Sequence, residues 1–279
     1  MLPPPLSKKQ LQRFAHIRDR FLKNTQLPEQ DKWRSMSDDA IWLRIVGQVV
    51  VVGNAAPAEH LSKPKVREQL AYGTLTGARP RRRAAESIGC ALAAIGTRYV
   101  SQERPTESRK VHALLRNLQF LADHKDGPTG FVACLGRMKN SRERIGYITE
   151  NLSYIKAKGA RDFLTTGLGM ATDVIALDSR VMGIVRLVVP ELPQTVNANN
   201  YDTIETYLIT HVCEPLKMSA MEFDQLLFRN EVGIRRLLSD VSMVHDGPNA
   251  TNSATSGKSR CGSGRPFPAR GGARRQRLG

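Results

Sequence analysis

Residues 155–185 read IKAKGARDFLTTGLGMATDVIALDSRVMGIV. Gly159 lets one helix meet the next through a tight turn that leaves backbone N–H groups free. Free N–H groups at a helix N-terminus make a seat for a phosphate, and Lys156, Lys158 and Arg161 surround it with positive charge. The pattern predicts a short helix from about Gly159 to Leu168, a glycine turn at Gly167 and Gly169, and a short apolar link, Val174-Ile175-Ala176-Leu177. Asp178 then stands at the mouth of a helix running from Ser179 to Val189, closed by Pro190 and Pro193. By residue type Asp178 is a good N-cap. The same carboxylate would lie in a groove close to the phosphate seat.

Outward from this stretch the chain reads as helix after helix. Leu11, Phe14, Ile17 and Phe21 recur at helical spacing and Pro28 ends their helix. Ser37-Asp38-Asp39 supplies an N-cap and an acidic first turn for a helix carrying Ile41, Trp42, Ile45 and Val46. Its continuation Val49–Val52 has the composition of a strand, but is read as helical up to Gly53, with a lone buried strand as the competing reading. Further helices are marked by Ala84, Ile88, Leu92, Ile95 and Tyr99, and by Val111, Leu114, Leu118 and Leu121. Gly127-Pro128 breaks the chain before the helices that hold Phe131, Leu135, Ile145, Ile148 and Leu152, and two more cover Asp202–Val212 and Ala220–Leu227. Neither alternating strands nor a fixed repeat is found. The expected fold is all-α.

The 279 residues carry 42 Lys and Arg against 26 Asp and Glu, a formal charge of +16. That balance points to a polyanionic partner. Part of it lies on residues 251–279, where Lys258, Arg260, Arg265, Arg270, Arg274, Arg275 and Arg277 stand without an acid. This glycine- and serine-rich segment is expected to be disordered and to add non-specific grip. No apolar run is long enough for a membrane span, and the first ten residues, MLPPPLSKKQ, lack the apolar core of a signal peptide. Cys90, Cys134, Cys213 and Cys261 show no CxxC spacing, which argues against a zinc site or disulfide framework and for a reducing, cytoplasmic setting. The dispersed histidines, among them His60, His124 and His211, have no ligand spacing, so no metal is expected.

The arrangement resembles the helix-hairpin-helix GPD superfamily of DNA glycosylases, which includes endonuclease III and the alkyladenine glycosylases. Ile155-Lys156-Ala157-Lys158-Gly159 is similar to that family's L-P-G-V/I-G hairpin, and Ala176-Leu177-Asp178-Ser179-Arg180-Val181 to its V-D-T/S-x-V/I segment. The helix Asp39–Gln48 resembles the early helix whose glutamine enters the gap left by the extruded base. The likeness covers roughly residues 36–230 and implies a two-lobed helical body, with residues 1–35 as an N-terminal helix and linker, a body from 36 to 240 and a tail from 241 to 279.

The resemblance implies that Asp178 is catalytic and that Gln48, Lys156, Lys158, Gly159 and Arg161 bind double-stranded DNA. A monomer without cofactor is expected, since the iron–sulfur cysteines of some relatives are absent. Bifunctional members carry a nucleophilic lysine two residues after the second hairpin glycine. In this register that position is Arg161, which cannot form a Schiff base, so the implied activity is a monofunctional glycosylase, with Lys158 as the route to a lyase alternative. The excised base is left open among deaminated, alkylated, oxidised and phage-type hypermodified bases, and with it the choice between repair and antiviral defence. A non-catalytic hairpin module that only binds DNA is the rival reading, and a regulatory helical protein unrelated to DNA is the residual one. The basic cluster Arg79–Arg83 is either a grip on DNA away from the lesion or an ordinary basic loop.

Overall fold

A computed structural model describes residues 3–78 and 81–243. The described residues form helices α1 (Lys8–Phe21), α2 (Asp38–Val50), α3 (Pro64–Gln69), α4 (Tyr72–Gly77), α5 (Arg81–Ala94), α6 (Arg109–Asp123) and α7 (Gly127–Arg137). These are followed by α8 (Ser141–Asn151), α9 (Ala157–Asp162), α10 (Ser179–Val188), α11 (Tyr201–Leu208), α12 (Ala220–Arg229) and α13 (Glu231–Met243). No strand occurs among them. The basic tail from residue 244 onward, Arg79 and Pro80 lie outside the described residues.

Two hydrophobic cores divide the body. The first is built from α2 to α9 and ends at Val174. The second begins at Ile175, runs to Leu238, and takes in Phe14 and Ile17 of α1. Helix α1, read from sequence as an element apart from the body, thus packs into the second core, where Phe14 meets Phe223 edge-on at 5.8 Å. Residues 22–36 carry the chain from one lobe to the other. They lie on the 168–172 turn, Asp31 and Trp33 donating to the carbonyls of Gly169 and Leu168. Gly169 has φ +63°, and a Cβ there would collide with the Glu29 carbonyl, so the crossing needs a glycine at this point.

Helix α2 forms where the sequence places it. The Ser37 hydroxyl caps it, accepting from Ala40 N at 3.3 Å, and Ile41, Trp42, Ile45, Val46, Val49 and Val50 are buried on one broad face. The acids of its first turn also bind neighbours: Asp39 accepts from Tyr72 N and Asp38 from Thr129 N. The valine run stays helical to Val50 because Lys110 serves the free carbonyls beyond it. That lysine is fully buried, and its Nζ donates to Val50 O at 2.9 Å and Val52 O at 2.8 Å. Sequence periodicity misses α13, which follows α12 after the single residue Asn230 and buries only Ile234 and Leu238 among its described side chains.

Candidate active site

The link between α8 and α9 is the five residues Leu152–Lys156. Leu152 and Ile155 point into the first core, and Tyr154 adopts a left-handed conformation with φ +71°. A left-handed non-glycine residue persists only where its surroundings hold it. Here fully buried Asn117 of α6 clamps the turn from both sides, accepting from Ser153 N at 2.6 Å and donating to Ser153 O at 3.0 Å. Leu152-Ser153-Tyr154-Ile155-Lys156 therefore fits the L-P-G-V/I-G form, with the left-handed residue in the first glycine's place. The register implied by sequence is corrected by three residues.

This shift changes the role of each predicted residue. Gly159 is not in the turn but is the third residue of α9, where its missing Cβ leaves room for Ile155 Cγ2 and Gln48 Oε1, which would stand 3.3 and 3.4 Å away. Lys156 is the exposed N-cap of α9, and its side chain makes no capping bond. The first helical N–H groups behind it have no intrahelical partner, which keeps the phosphate seat open to an anion. Two residues after this N-cap comes Lys158.

Arg161 does not share the exposed surface of Lys156 and Lys158. It is 3 % exposed and packs its guanidinium 4.1 Å above the Tyr201 ring. Nε donates to both Glu205 oxygens at 2.8 and 2.9 Å, and Nη2 to Asp202 at 2.7 Å. Burial opposes its charge, but the bonds to Glu205 outweigh that and raise its pKa. The sequence shows only an arginine next to lysines; its partners lie 41 and 44 residues further along. Because Arg161 is an inter-helix pin, its identity carries no information about lyase chemistry.

Gln48 also faces inward. Its Nε2 donates to Asp162 Oδ2 at 2.9 Å, and its Oε1 is buried without a partner among the described residues. In this position it holds Asp162 and does not project to fill a gap in DNA. Asp162 further accepts from Thr166 Oγ1 at 2.6 Å and sits 3.8 Å from Lys158 Nζ. Lys158 remains partly exposed on the open side of α9.

Asp178 lies where the buried link delivers it. Glu205 accepts from Ile175 N and the Tyr201 hydroxyl accepts from Leu177 N, so α11 satisfies this extended backbone and fixes its end. The Asp178 carboxylate then caps α10, and both bonds, from Arg180 N at 2.9 Å and Val181 N at 2.8 Å, go to Oδ1. Oδ2 stays outside the cap. The side chain is half-buried.

A residue that sequence reasoning missed completes the group. Asp224 on α12 is 3 % exposed and accepts from Gln225 Nε2 at 3.0 Å. Burial first, and then the charges of Asp162 and Asp178, push its carboxyl up to about 7, while Lys158 pulls the other way. Asp162, Asp178, Lys158 and Asp224 thus share one electrostatic neighbourhood. Phe228, one turn beyond Asp224, is exposed beneath Arg180, whose guanidinium carbon lies 4.9 Å from the ring centre. The signal available in the sequence was the stripe Met221, Asp224, Phe228, an acid between two apolar residues at helical spacing. No cluster of metal-ligating side chains occurs among the described residues.

No family model and no curated protein matches the sequence. Solved structures do match in shape. The 8-oxoguanine DNA glycosylase of Methanocaldococcus jannaschii superposes with a TM-score of 0.57 at 14% identity, over 80% of this chain and 94% of that one. The same organism's 8-oxoguanine glycosylase/lyase in complex with a DNA 15mer containing 8-oxoguanine gives 0.56 at 14% identity, over 81% and 96%. The 8-oxoguanine DNA glycosylase of Thermotoga maritima gives 0.54 at 18% identity, over 79% and 93%. Two helical lobes, a hairpin at the start of α9 and an aspartate at the mouth of α10 are thus set in an all-helical fold shared with these 8-oxoguanine DNA glycosylases.

Proposed function

We propose that the protein is a DNA N-glycosylase acting as a monomer on a base extruded from duplex DNA. The observation that carries this reading is the convergence of Lys158, Asp178 and the buried Asp224 beside a hairpin whose helix start has no side-chain cap. Loss of a base builds positive charge on the anomeric carbon, and the free Oδ2 of Asp178 would oppose it electrostatically. Extrusion costs a few kcal/mol, which the phosphate seat and a pocket for the base would offset. Within that pocket the ionised Asp224 carboxylate would accept two adjacent N–H donors, such as those on the edge of a guanine-type base. Phe228 would supply an aromatic face. The 8-oxoguanine bound by the solved neighbour carries such an edge.

The corrected register favours Lys158 as nucleophile, since the hairpin N-cap is Lys156 and the resemblance places the reactive lysine two residues on. Its neutral amine would form a bond to the anomeric carbon as the base leaves with the glycosidic electron pair. The amine's surplus proton would pass to a neighbouring carboxylate. One contact favours the alternative, monofunctional reading with water as nucleophile: Lys158 Nζ is ion-paired with Asp162 at 3.8 Å, and an ammonium in an ion pair has no lone pair to attack with.

The test is a panel of duplexes, each with one modified base, treated with alkali to reveal abasic sites and run beside Asp178→Asn. Release of at least one base by the wild type alone is the expected result; release of none overturns the reading. Borohydride trapping decides the nucleophile, with a covalent adduct lost in Lys158→Ala if the amine attacks. Release of an oxidised base points to repair, and of a hypermodified cytosine to defence against phage DNA.

A further inference from the structure

A second basic site lies on the first lobe, behind the hairpin turn. A cavity of about 580 Å³ is lined by Arg81, Arg109, His112, Leu115, Arg116 and Tyr154. No carboxylate lines it, and none of its three arginines forms an ion pair among the described residues. Arg109, His112 and Arg116 occupy the exposed face of α6, whose opposite face (Val111, Leu114, Leu118, Leu121) is core. Arg81 is fastened at its edge by a bond from Nη2 to Leu115 O at 3.3 Å.

Tyr154 connects this cavity to the hairpin. It is the residue held at φ +71°, and the clamp that keeps the turn in place comes from Asn117, on the helix that lines the cavity. Tyr154 thus lines one cavity with Arg81, Arg109 and Arg116 while its backbone is held in the hairpin turn. The volume exceeds what a bare phosphate needs and falls within the range of small-molecule sites. Guanidinium groups for a phosphodiester and a ring for a base are the two elements of single-strand recognition.

We infer that this cavity binds one unpaired nucleotide of DNA, its phosphate between Arg109 and Arg116 and its base on Tyr154. The inference shares the nucleic-acid reading of the hairpin but is independent of excision chemistry. Fluorescence anisotropy with a short lesion-free single strand and a lesion-free duplex of the same sequence tests it on the full chain. Tyr154→Gly removes the ring while easing the left-handed backbone, and its melting temperature is read beside its affinity to show that the turn still folds. Its affinity for the single strand should fall about tenfold, the scale of one lost base stack, and that for the duplex about twofold or less. Tyr154→Phe should bind as wild type. Arg109→Ala with Arg116→Ala should lower the single-strand salt slope by about 0.7, the value for the one phosphate held between them.

Unchanged single-strand affinity in Tyr154→Gly overturns the proposal, as does an equal loss on strand and duplex, which makes the face a plain phosphate contact. If the wild type excises no base but these differences appear, the nucleotide site stands and the glycosylase reading falls. If excision is seen without them, the reverse holds.

Discussion

Helix α9 presents two cations one turn apart, and its two sides treat them in opposite ways. On the closed side Arg161 is desolvated, stacked on Tyr201 and bonded to Glu205 and Asp202, so its charge is consumed by structure. On the open side Lys158 keeps solvent access and faces a set of carboxylates, Asp162, Asp178 and Asp224, whose combined charge is only partly neutralised. A planar guanidinium suits the first setting because it can satisfy two carboxylates at once. An amine suits the second because it can lose its proton. The difference shows that a basic motif acquires its role from what the rest of the chain brings to each face.

Substitutions on the open side should change chemistry and leave folding intact. Asp178→Asn keeps an N-cap residue of equal rank, so the protein should melt normally and bind duplex at least as well. Its single-turnover excision rate should fall by about 10³ or more, the scale of a lost transition-state electrostatic contact. Retained excision would remove Asp178 from the site. On the closed side Arg161→Met should do the reverse, costing about 3–5 kcal/mol in denaturant unfolding by leaving Glu205 buried and unpaired. Adding Glu205→Gln should recover a large part of that loss. If Arg161→Met unfolds like wild type and only weakens DNA binding, the contrast between the two faces collapses.

Asp224 sharpens the comparison through pH. Its folded carboxyl titrates near 7, above the unfolded value of about 3.9, so the folded state holds the extra proton between those limits. Stability from this group therefore declines as pH rises from about 4 to 7 and is flat above. Asp224→Asn should remove that decline and stabilise the protein at pH 8 by on the order of 2–4 kcal/mol, while impairing excision. A variant with the same pH–stability profile as wild type would show that Asp224 does not titrate there. The smallest effect belongs to Lys156→Ala. It should leave stability unchanged and reduce the salt slope of duplex binding by about one.

Much of this was legible in the sequence because the signals were local. The helical period of α2, its Ser37 cap and the apolar link before Asp178 all depend on neighbours in the chain. Three errors share a different cause. Gly159 drew the hairpin three residues too far along, because glycine is the usual mark of a left-handed turn and Tyr154 is not; Asn117, 36 positions away, is what permits it. Arg161 reads as part of the phosphate seat since Glu205 is remote in sequence. Asp224 carries no local mark of its burial, which the packing of α12 produces. Each of these depends on a tertiary contact that no window of the chain contains.

The layout of the two cores sets an order of assembly. The first is encoded by one uninterrupted segment, whereas the second joins the two ends of the described chain: Tyr207 donates from its hydroxyl to Pro4 O, and Arg18 to Leu216 O. During synthesis the α2–α9 lobe can close as soon as it emerges, through contacts of modest sequence separation. Helix α1 is made before the first lobe yet has nowhere to bury Phe14 and Ile17 until α10 to α13 arrive. The amphipathic α1 therefore waits until the second lobe is made, and its docking completes the core beneath α10, the helix that Asp178 caps.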